Sequence, residues 1–566
     1  MKASDAAALI LHKHNVTYGF ELVGGMITHL IDSINNLGKT KLISLHHEQA
    51  AAFSAGGVAR VTNNHQLGVA LGTSGPGATN LITGIADCWL DSVPCLFLTG
   101  QVNSYELKGD KKIRQQGFQE LDSVSLVESI TKYAIRITSP KEFISELDKA
   151  LNIAVEGRPG PVLLDVPMDI QREEIPEDYV NQIIDKSSNL FIDQPKTIDI
   201  LLDEAISKLL IANKPLILIG GGAVKAEGFG SWYKHIINSK VPVVSSLKGS
   251  EQTTKSDFYF GMIGSYGKRI ANYAVQECDF LLVLGSRLDV RQTGADVNRF
   301  APKAEIFQID LDGAQLNNRV PCGSFECDLK HFYTVWEARE VKFDTQEWLA
   351  ELSAKRLSME CDEYKDWSIS PYRVFKLLNK LLSGLKISFS VDVGNNQMWA
   401  AHSLELEENQ SVHYSGGLGT MGFALPNAIG MSYATSSNVV VICGDGGLQM
   451  NIQELDIISR EKLPILVIVF NNRSLGMVKG FQDLYFESRN TSTYWGGYTS
   501  DFIKIGQGYH IEAIRVNDLM SFESNVVSYI DTPRPMLIEL DMPDAKECRP
   551  RLEFGEALDN QSPKLN

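Results

Sequence analysis

Between Val439 and Met477 the 566-residue chain reads VVVICGDGGLQMNIQELDIISREKLPILVIVFNNRSLGM. An apolar run ends in Gly444-Asp445-Gly446, a helical pattern follows, and a second apolar run, Ile465 to Phe470, ends in Asn471-Asn472. A connection this long and helical is a crossover, so the two strands must lie parallel in one sheet. Both polar clusters then fall at the carboxyl ends of neighbouring strands. In open α/β sheets that edge is where ligands bind.

The residue types at this edge suggest its chemistry. Asp445 offers a hard anionic oxygen and the Asn472 amide a neutral one, while Gly444, Gly446 and Gly447 let backbone N–H groups approach closely at a helix start. Such a set suits a magnesium-bound diphosphate. Each half alone also fits a tight Asp-Gly turn or an Asn-Asn loop. Residues 447–470 fix the spacing between them, and it is the pair that points to a ligand.

At roughly 150 residues per domain, this length implies three or four domains. With 44% hydrophobic and 22% charged residues the composition is that of a soluble globular protein. A formal charge of −16 argues against nucleic acid or an anionic membrane as a bulk partner. No apolar run approaches the roughly 18 residues that span a bilayer, and His12 and Lys13 interrupt the amino-terminal run, so a cytoplasmic location is expected. The eight cysteines show neither CxxC nor zinc spacing, and are expected as reduced, mostly packed thiols.

Patterning divides the chain into three α/β blocks with mainly parallel sheets. The first, residues 1–185, has apolar runs at Lys41–Leu45, Leu67–Leu71, Pro94–Leu98 and Val162–Val166. A polar stretch, Gln171 to Thr197, reads as a linker. The second, 195–340, has Pro215–Ile219 leading into Gly220-Gly221-Gly222, then Phe280–Leu284 and Ile306–Ile309. A helical, charged connection, Lys342 to Asp366, leads to the third block, 367–545. Asp559 to Asn566 reads as a mobile tail.

Further motifs are distributed over these blocks. Glu48, in LHHEQAAAF, sits where an apolar strand meets a small-residue helix, a place where helix-dipole stabilisation alone would also put it. Gly72–Asn80 reads GTSGPGATN, residues 117–122 read GFQELD, and 157–167 read GRPGPVLLDVP. In the second block, Gly220–Gly222 is followed by GMIGSYG at 261–267, GSRLDVR at 285–291, Asp310 and Asp328. Glycines allow close backbone approach, and arginines pair with phosphates, as dinucleotide binding requires. The third block adds VGNNQMW at 393–399 and GGLGTMG at 416–422.

Together these motifs resemble the thiamine diphosphate (ThDP) enzymes, and among them the acetohydroxyacid synthase (acetolactate synthase) family, over nearly the whole chain. The resemblance implies three consecutive doubly wound domains: a pyrimidine-binding domain, a central FAD-binding domain and a diphosphate- and Mg2+-binding domain. It implies that Asp445, the Asn472 side chain and the Ser474 carbonyl hold the metal. Glu48 becomes the activating acid, sharing a proton with pyrimidine N1′, and burial among Ala50, Ala51 and Phe53 is expected to favour that sharing. In the family this Glu serves the opposite subunit's site, so a homodimer or homotetramer is expected, with active sites at the dimer interface.

By the same resemblance, Gly25, Pro76, Asn80 and Arg158 flank the pyrimidine. Gly394, Asn395, Asn396, Gly476 and Met477 lie on the phosphate side. Met421 wedges between the cofactor rings, and the Gly419 carbonyl accepts from the 4′-amino group. Gly220, Gly221, Gly222, Gly264, Ser265, Gly285, Arg287, Asp289, Asp310 and Asp328 form a flavin site with a non-redox role. Arg291 grips the acceptor carboxylate, while Phe118, Gln119 and Phe481 line the substrate pocket.

The pocket departs from the family. Phe481 stands where a Trp is preferred, Ser265-Tyr266-Gly267 where Met-His-Gly is usual, Leu22–Met26 where Tyr-Pro-Gly-Gly-Ala is usual, and Asn396 where a His is usual. The smaller side chains imply a larger acceptor. The pattern is similar to branched-sugar carboligases of the YerE type, which add the acetyl unit of pyruvate to a nucleotide-linked 4-keto-deoxysugar. Lys108, Lys111, Lys112 and Arg114 would then meet a nucleotide diphosphate, although such runs are commonly solvated loops. Rival readings are an acetolactate synthase using a second 2-keto acid, a pyruvate-oxidase-like flavoenzyme and a silent ThDP-binding module.

Overall fold

The computed structural model describes residues 1–185, 197–339, 342–543 and 547–565. Three six-stranded sheets, each entirely parallel, organise the chain. In the first the strands lie in the order Lys41–Ser44, Tyr18–Leu22, Gly68–Gly72, Cys95–Gln101, Pro161–Pro167, Tyr133–Arg136. In the third they lie in the order Gln410–Tyr414, Ile387–Val391, Asn438–Gly444, Ile465–Asn471, Met536–Asp541, Glu512–Val516. Numbered along the chain within each sheet, both follow the order 2-1-3-4-6-5. The winding therefore reverses between the first and third strands, and a crevice opens at their carboxyl ends.

The central sheet is wound differently. From one edge to the other it runs Tyr259–Met262, Val243–Ser245, Pro215–Ile219, Phe280–Leu284, Glu305–Asp310, Gly323–Glu326. This is the 3-2-1-4-5-6 order of dinucleotide-binding folds, with its switch point between Pro215–Ile219 and Phe280–Leu284. The strands are apolar on both faces, as a parallel sheet covered by helices demands.

The first and third sheets are joined by two helices, Glu48–Val61 and Ala424–Ala434. A β-carbon on Gly430 would lie 1.8 Å from the Ser54 carbonyl oxygen, and one on Gly57 would lie 2.2 Å from that of Asn427. The Ser54 hydroxyl donates to the Pro426 carbonyl at 2.7 Å, and Phe53 meets Phe423 edge-on with centroids 5.6 Å apart. One hydrophobic core runs through this contact from Phe20 to Leu537.

Two expectations fail. The proposed linker is structured over its first part: helices Met168–Arg172 and Glu177–Ile184 occupy it, and buried Gln171 donates to the carbonyls of Met26 and Val166. Residues 186–196 of that stretch lie outside the described residues. The presumed mobile tail is docked: Gln561–Ser562 pairs antiparallel with Arg551–Leu552, and Arg269 donates to the Pro563 carbonyl. Arg269 and Asn272, which bonds the Leu558 carbonyl, offer buried partners that composition does not reveal. Six cysteines, 88, 95, 278, 327, 443 and 548, are buried free thiols, whereas Cys361 is exposed. Among the described residues no helix is long and apolar enough to cross a membrane.

Gly430→Ala should force the two joined helices apart and lower unfolding stability by about 1–3 kcal/mol. Denaturant titration against the unaltered protein checks this.

Candidate active site

At the switch point of the third sheet, the turn after Ile387–Val391 faces the turn after Asn438–Gly444. Asp445 opens the helix Asp445–Met450, and Asn472 and Ser474 follow the neighbouring strand. All three are buried. The terminal amide of Asn472 lies 2.9 Å from the Ser474 carbonyl oxygen and 3.2 Å from Asp445 Oδ1. With its nitrogen inward the amide donates to both; with its oxygen inward, three oxygens converge with no proton between them. A hard divalent cation resolves the second arrangement, so the donor set fits magnesium.

The neighbouring turn supplies groups for an anion. Gly394 adopts a φ of +130°, and Asn395, at the start of helix Asn395–Ser403, has both amide atoms buried without a partner among the described residues. Asn396 is occupied, donating to the Asp392 carbonyl at 2.6 Å. A β-carbon on Gly446 would lie 2.4 Å from Leu475 Cδ2 and 3.3 Å from Met421 Cε, which places Met421 over the Gly444–Gly447 turn. Gly419 holds a φ of +71°, and Gly476 and Met477 begin the helix that follows Ser474.

Burial shapes the acidity here. Desolvation pushes Asp445 up to about 6, partly offset by backbone N–H groups of Gly446 and Arg473. Asp392 is likewise pushed up to about 6 by burial, against N–H donors from Ala424, Gly422 and Val393. Its carboxylate accepts from Gly422 and Ala424, both at 3.0 Å, and so anchors the end of the 416–422 loop. The sequence reading passed over Asp392. Its signal was an acid directly after an apolar strand, the same pattern that marked Asp445.

Glu48 lies at the start of helix Glu48–Val61, buried, with one carboxylate oxygen accepting from the Asn80 amide at 2.9 Å. His47 caps the helix by accepting the Gln49 N–H. A β-carbon on Gly77 would lie 3.3 Å from Glu48 Oε1, and one on Gly75 3.1 Å from Gln119 Cβ, so three of the four first-block motifs meet. Gln119 has a φ of +64°. Pro76 and Gly25 lie exposed nearby, and Phe118 is 78% exposed. Two residues of the third sheet's flank, also missed, hold this loop. Glu454 accepts the His46 N–H at 3.2 Å, and Asn451 donates to Gln49 at 3.2 Å and to the Gly422 carbonyl at 2.8 Å.

Around the central switch point lies a cleft of about 1500 Å3. Gly221, Gly222, Ser265, Gly285, Arg287, Asp289, Arg291, Asp310 and Asp328 line it, and it extends to Gly416–Gly419. Gly220 lies beneath: a β-carbon there would be 2.1 Å from the Gly285 carbonyl oxygen, and one on Gly264 would be 2.3 Å from that of Arg291. Burial raises Asp310 above the usual carboxylate range. Asp328 and Asp289 cap the helices Leu329–Glu337 and Val290–Thr293, which accounts for both without a ligand. Arg158 is a correction. Expected beside the pyrimidine, it lines this cleft and donates to Asp312 at 2.8 Å, because the turn after residue 156 faces the central sheet.

Ser265 is held by backbone bonds on both sides, donating to the Arg291 carbonyl at 2.7 Å and accepting the Leu552 N–H at 2.6 Å. Phe481 is 55% exposed and packs on Tyr485 with ring centroids 4.6 Å apart. Lys111, Lys112 and Arg114 are exposed on a loop tied to Glu120, away from the cleft lining.

Family profiles account for all three sheets. Residues 1–126 match "Thiamine pyrophosphate enzyme, N-terminal TPP binding domain", 202–332 match its central domain, and 392–540 its C-terminal TPP binding domain. The chain belongs to the acetolactate synthase-like family of ThDP enzymes. It is 36% identical to the "Probable acetolactate synthase large subunit" of Methanocaldococcus jannaschii, over 99% of this chain and 95% of the relative. It is 33% identical to "Acetolactate synthase isozyme 2 large subunit" of Escherichia coli K12, over 98% and 97%. With "Acetolactate synthase 2, chloroplastic" of Nicotiana tabacum it shares 32% identity over 98% and 84%. As a family member it is a ThDP-dependent carboligase acting on pyruvate.

The acidity of Asp445 sets a pH dependence. Its folded value, about 6, exceeds the ordinary 3.8, so without a cation it stabilises the fold only at low pH, and that contribution is lost as pH rises through about 6. A metal must compete with the same proton. Magnesium affinity should therefore fall about tenfold per pH unit below 6 and level off above 7. Calorimetric titration across that range checks it, with Asp445→Asn expected to flatten the profile.

Proposed function

We propose that this protein is an acetolactate synthase: it decarboxylates pyruvate and joins the two-carbon unit to the carbonyl of a second 2-keto acid. The relatives' names support this, and so does Arg291 in the wall of the cleft, since a guanidinium is the natural partner of an acceptor carboxylate. The observation that carries the ThDP chemistry is the convergence of Asp445 Oδ1, the Asn472 amide and the Ser474 carbonyl oxygen at the third sheet's switch point.

In this reading Asp445, the Asn472 side chain and the Ser474 carbonyl would hold Mg2+, and the unpartnered Asn395 amide would meet a diphosphate oxygen. When bound, ThDP supplies the carbon nucleophile and accepts the electron pair left by departing carbon dioxide. The chain's residues orient and exclude. Met421, over the Gly444–Gly447 turn, would press against the bound cofactor, and the Gly419 carbonyl would accept from its amino group. Glu48 holds the proton shared with the pyrimidine, and Asn80 fixes the carboxylate that does so. The central cleft would hold FAD as a structural group, with Arg287 available to its phosphates and Asp310 to a ribose hydroxyl.

The active unit is a homodimer. Phe118, next to Gln119, is 78% exposed and Phe481, in the helix that follows Ser474, is 55% exposed, and a second copy would cover these apolar surfaces. Sedimentation velocity should give a species of at least twice the chain mass.

The small Ser265 in the cleft wall and the half-exposed Phe481 support a second reading in which a nucleotide-linked ketosugar is the acceptor. Purified protein given pyruvate, Mg2+ and ThDP should form acetolactate at a rate that a second 2-keto acid redirects. Slow self-condensation with fast coupling to a 4-ketosugar would replace the first reading by the second. Stoichiometric bleaching of flavin by pyruvate would instead indicate an oxidase. Glu48→Gln should cut carbon dioxide release by about 10²–10⁴-fold while leaving magnesium affinity within a few-fold of normal.

A further inference from the structure

Lys248 stands between the two cofactor regions. It follows the strand Val243–Ser245 and lines the central cleft. Its stem is clasped by two glycines: a β-carbon on Gly221 would lie 2.8 Å from Lys248 Cβ, and one on Gly416 would lie 2.5 Å from its Cδ. Gly221 belongs to the turn at the central switch point. Gly416 begins the loop that carries Gly419 and Met421.

The ammonium group of Lys248 enters a buried cluster drawn from all three domains. It donates to Glu251 and, at 3.0 Å, to the Tyr414 carbonyl, and lies 3.3 Å from Asp91 Oδ2. Glu251 accepts the Tyr414 N–H at 3.0 Å. Asp91 accepts from the N–H groups of Gly416 at 3.2 Å and Gly417 at 2.8 Å. Arg60 holds Asp91 at 2.8 Å and Asp87 at 2.6 Å. Asp87 in turn accepts the Ser415 hydroxyl at 2.5 Å, and the Ser415 oxygen accepts the Thr420 N–H at 3.0 Å.

The root of the 416–422 loop thus takes its register from charges on the first and central domains. A buried ionic network adds little net stability over apolar packing of the same volume. Its use here is geometric.

We propose that Lys248 couples the two cofactor sites, so that a dinucleotide seated in the central cleft tightens ThDP binding in the third domain. By fixing the Gly220–Gly222 turn against the Lys248 stem, the dinucleotide fixes Gly416 and, through Asp91 and Ser415, the loop that cradles the thiamine. Linkage makes the effect reciprocal. Lys248 is a positioning residue, and the inference rests on the flavin reading of the cleft.

The test is calorimetric titration of the full-length protein with ThDP in excess Mg2+, with and without saturating FAD. FAD binding itself is followed separately by quenching of flavin fluorescence. The wild-type Kd for ThDP should tighten at least fivefold with FAD, within the usual range of coupled sites. In Lys248→Met the ratio should fall below about twofold while FAD still binds. Gly416→Ala leaves every charge in place and only crowds the Lys248 stem, and it should also shrink the ratio; it decides alone if Lys248→Met fails to fold. Equal wild-type Kd values with and without FAD would overturn the coupling and leave the flavin reading intact. FAD failing to bind the wild type would overturn the flavin reading beneath it. A wild-type ratio in either folded variant would overturn the role of Lys248.

Discussion

A doubly wound parallel sheet opens a crevice only where its crossovers turn to opposite faces. Everything functional in this protein follows from having three such places. In the outer sheets the reversal falls between the first and third strands, and it brings the turn after Ile387–Val391 beside Gly444–Gly447. In the central sheet it falls between Pro215–Ile219 and Phe280–Leu284, and there glycine backbones approach so closely that a β-carbon on Gly220 has no room. Helix starts and unpaired strand ends gather at each point, which gives N–H donors and carboxylates a common direction.

Bringing the points together is a matter of backbone contact. The helices Glu48–Val61 and Ala424–Ala434 meet at Gly57 and Gly430 with carbonyl oxygens where side chains would stand. This close approach sets the distance between the domain that carries Glu48 and the one that carries Asp445. The same economy recurs at Gly221 and Gly416, where the space left by missing β-carbons is filled by Lys248. Around these contacts the buried carboxylates are each tied down. Asp392 is held by backbone N–H groups, Asp87 and Asp91 by Arg60, and Glu454 by His46. Burial pushes Glu454 up to about 7 and Asp392 up to about 6. The interior therefore holds acids that water would ionise more readily.

Much of the site was legible in sequence because its chemistry is local. An apolar strand, Gly-Asp-Gly, a helix and a second strand ending in Asn-Asn can place Asp445 and Asn472 in only one way once the crossover is made. The HEQAAA, GTSGPGATN and GFQELD segments meet at the carboxyl edge of the first sheet. Residues whose role is to hold another segment were not legible. Asp392 looks like any acid after a strand, and Asp87, Asp91, Lys248, Asn451 and Glu454 look like polar surface residues. Each acquires its role from partners dozens to hundreds of residues away. The docked carboxyl terminus misled for the same reason, since its backbone carbonyls at Leu558 and Pro563 find Asn272 and Arg269 only in the folded chain.

The sequence alone determined that this chain builds three parallel α/β layers and gathers Asp445 and Asn472 at one strand edge, because strand period, crossover length and turn chemistry are properties of contiguous residues. The tertiary structure decided what that edge works with. Only folding sets the Gly416–Gly422 loop between Asp392 and Asp91, turns Arg158 into the central cleft, and clasps Lys248 between two glycines. Those contacts depend on how closely separate backbones approach, and no local pattern encodes that distance.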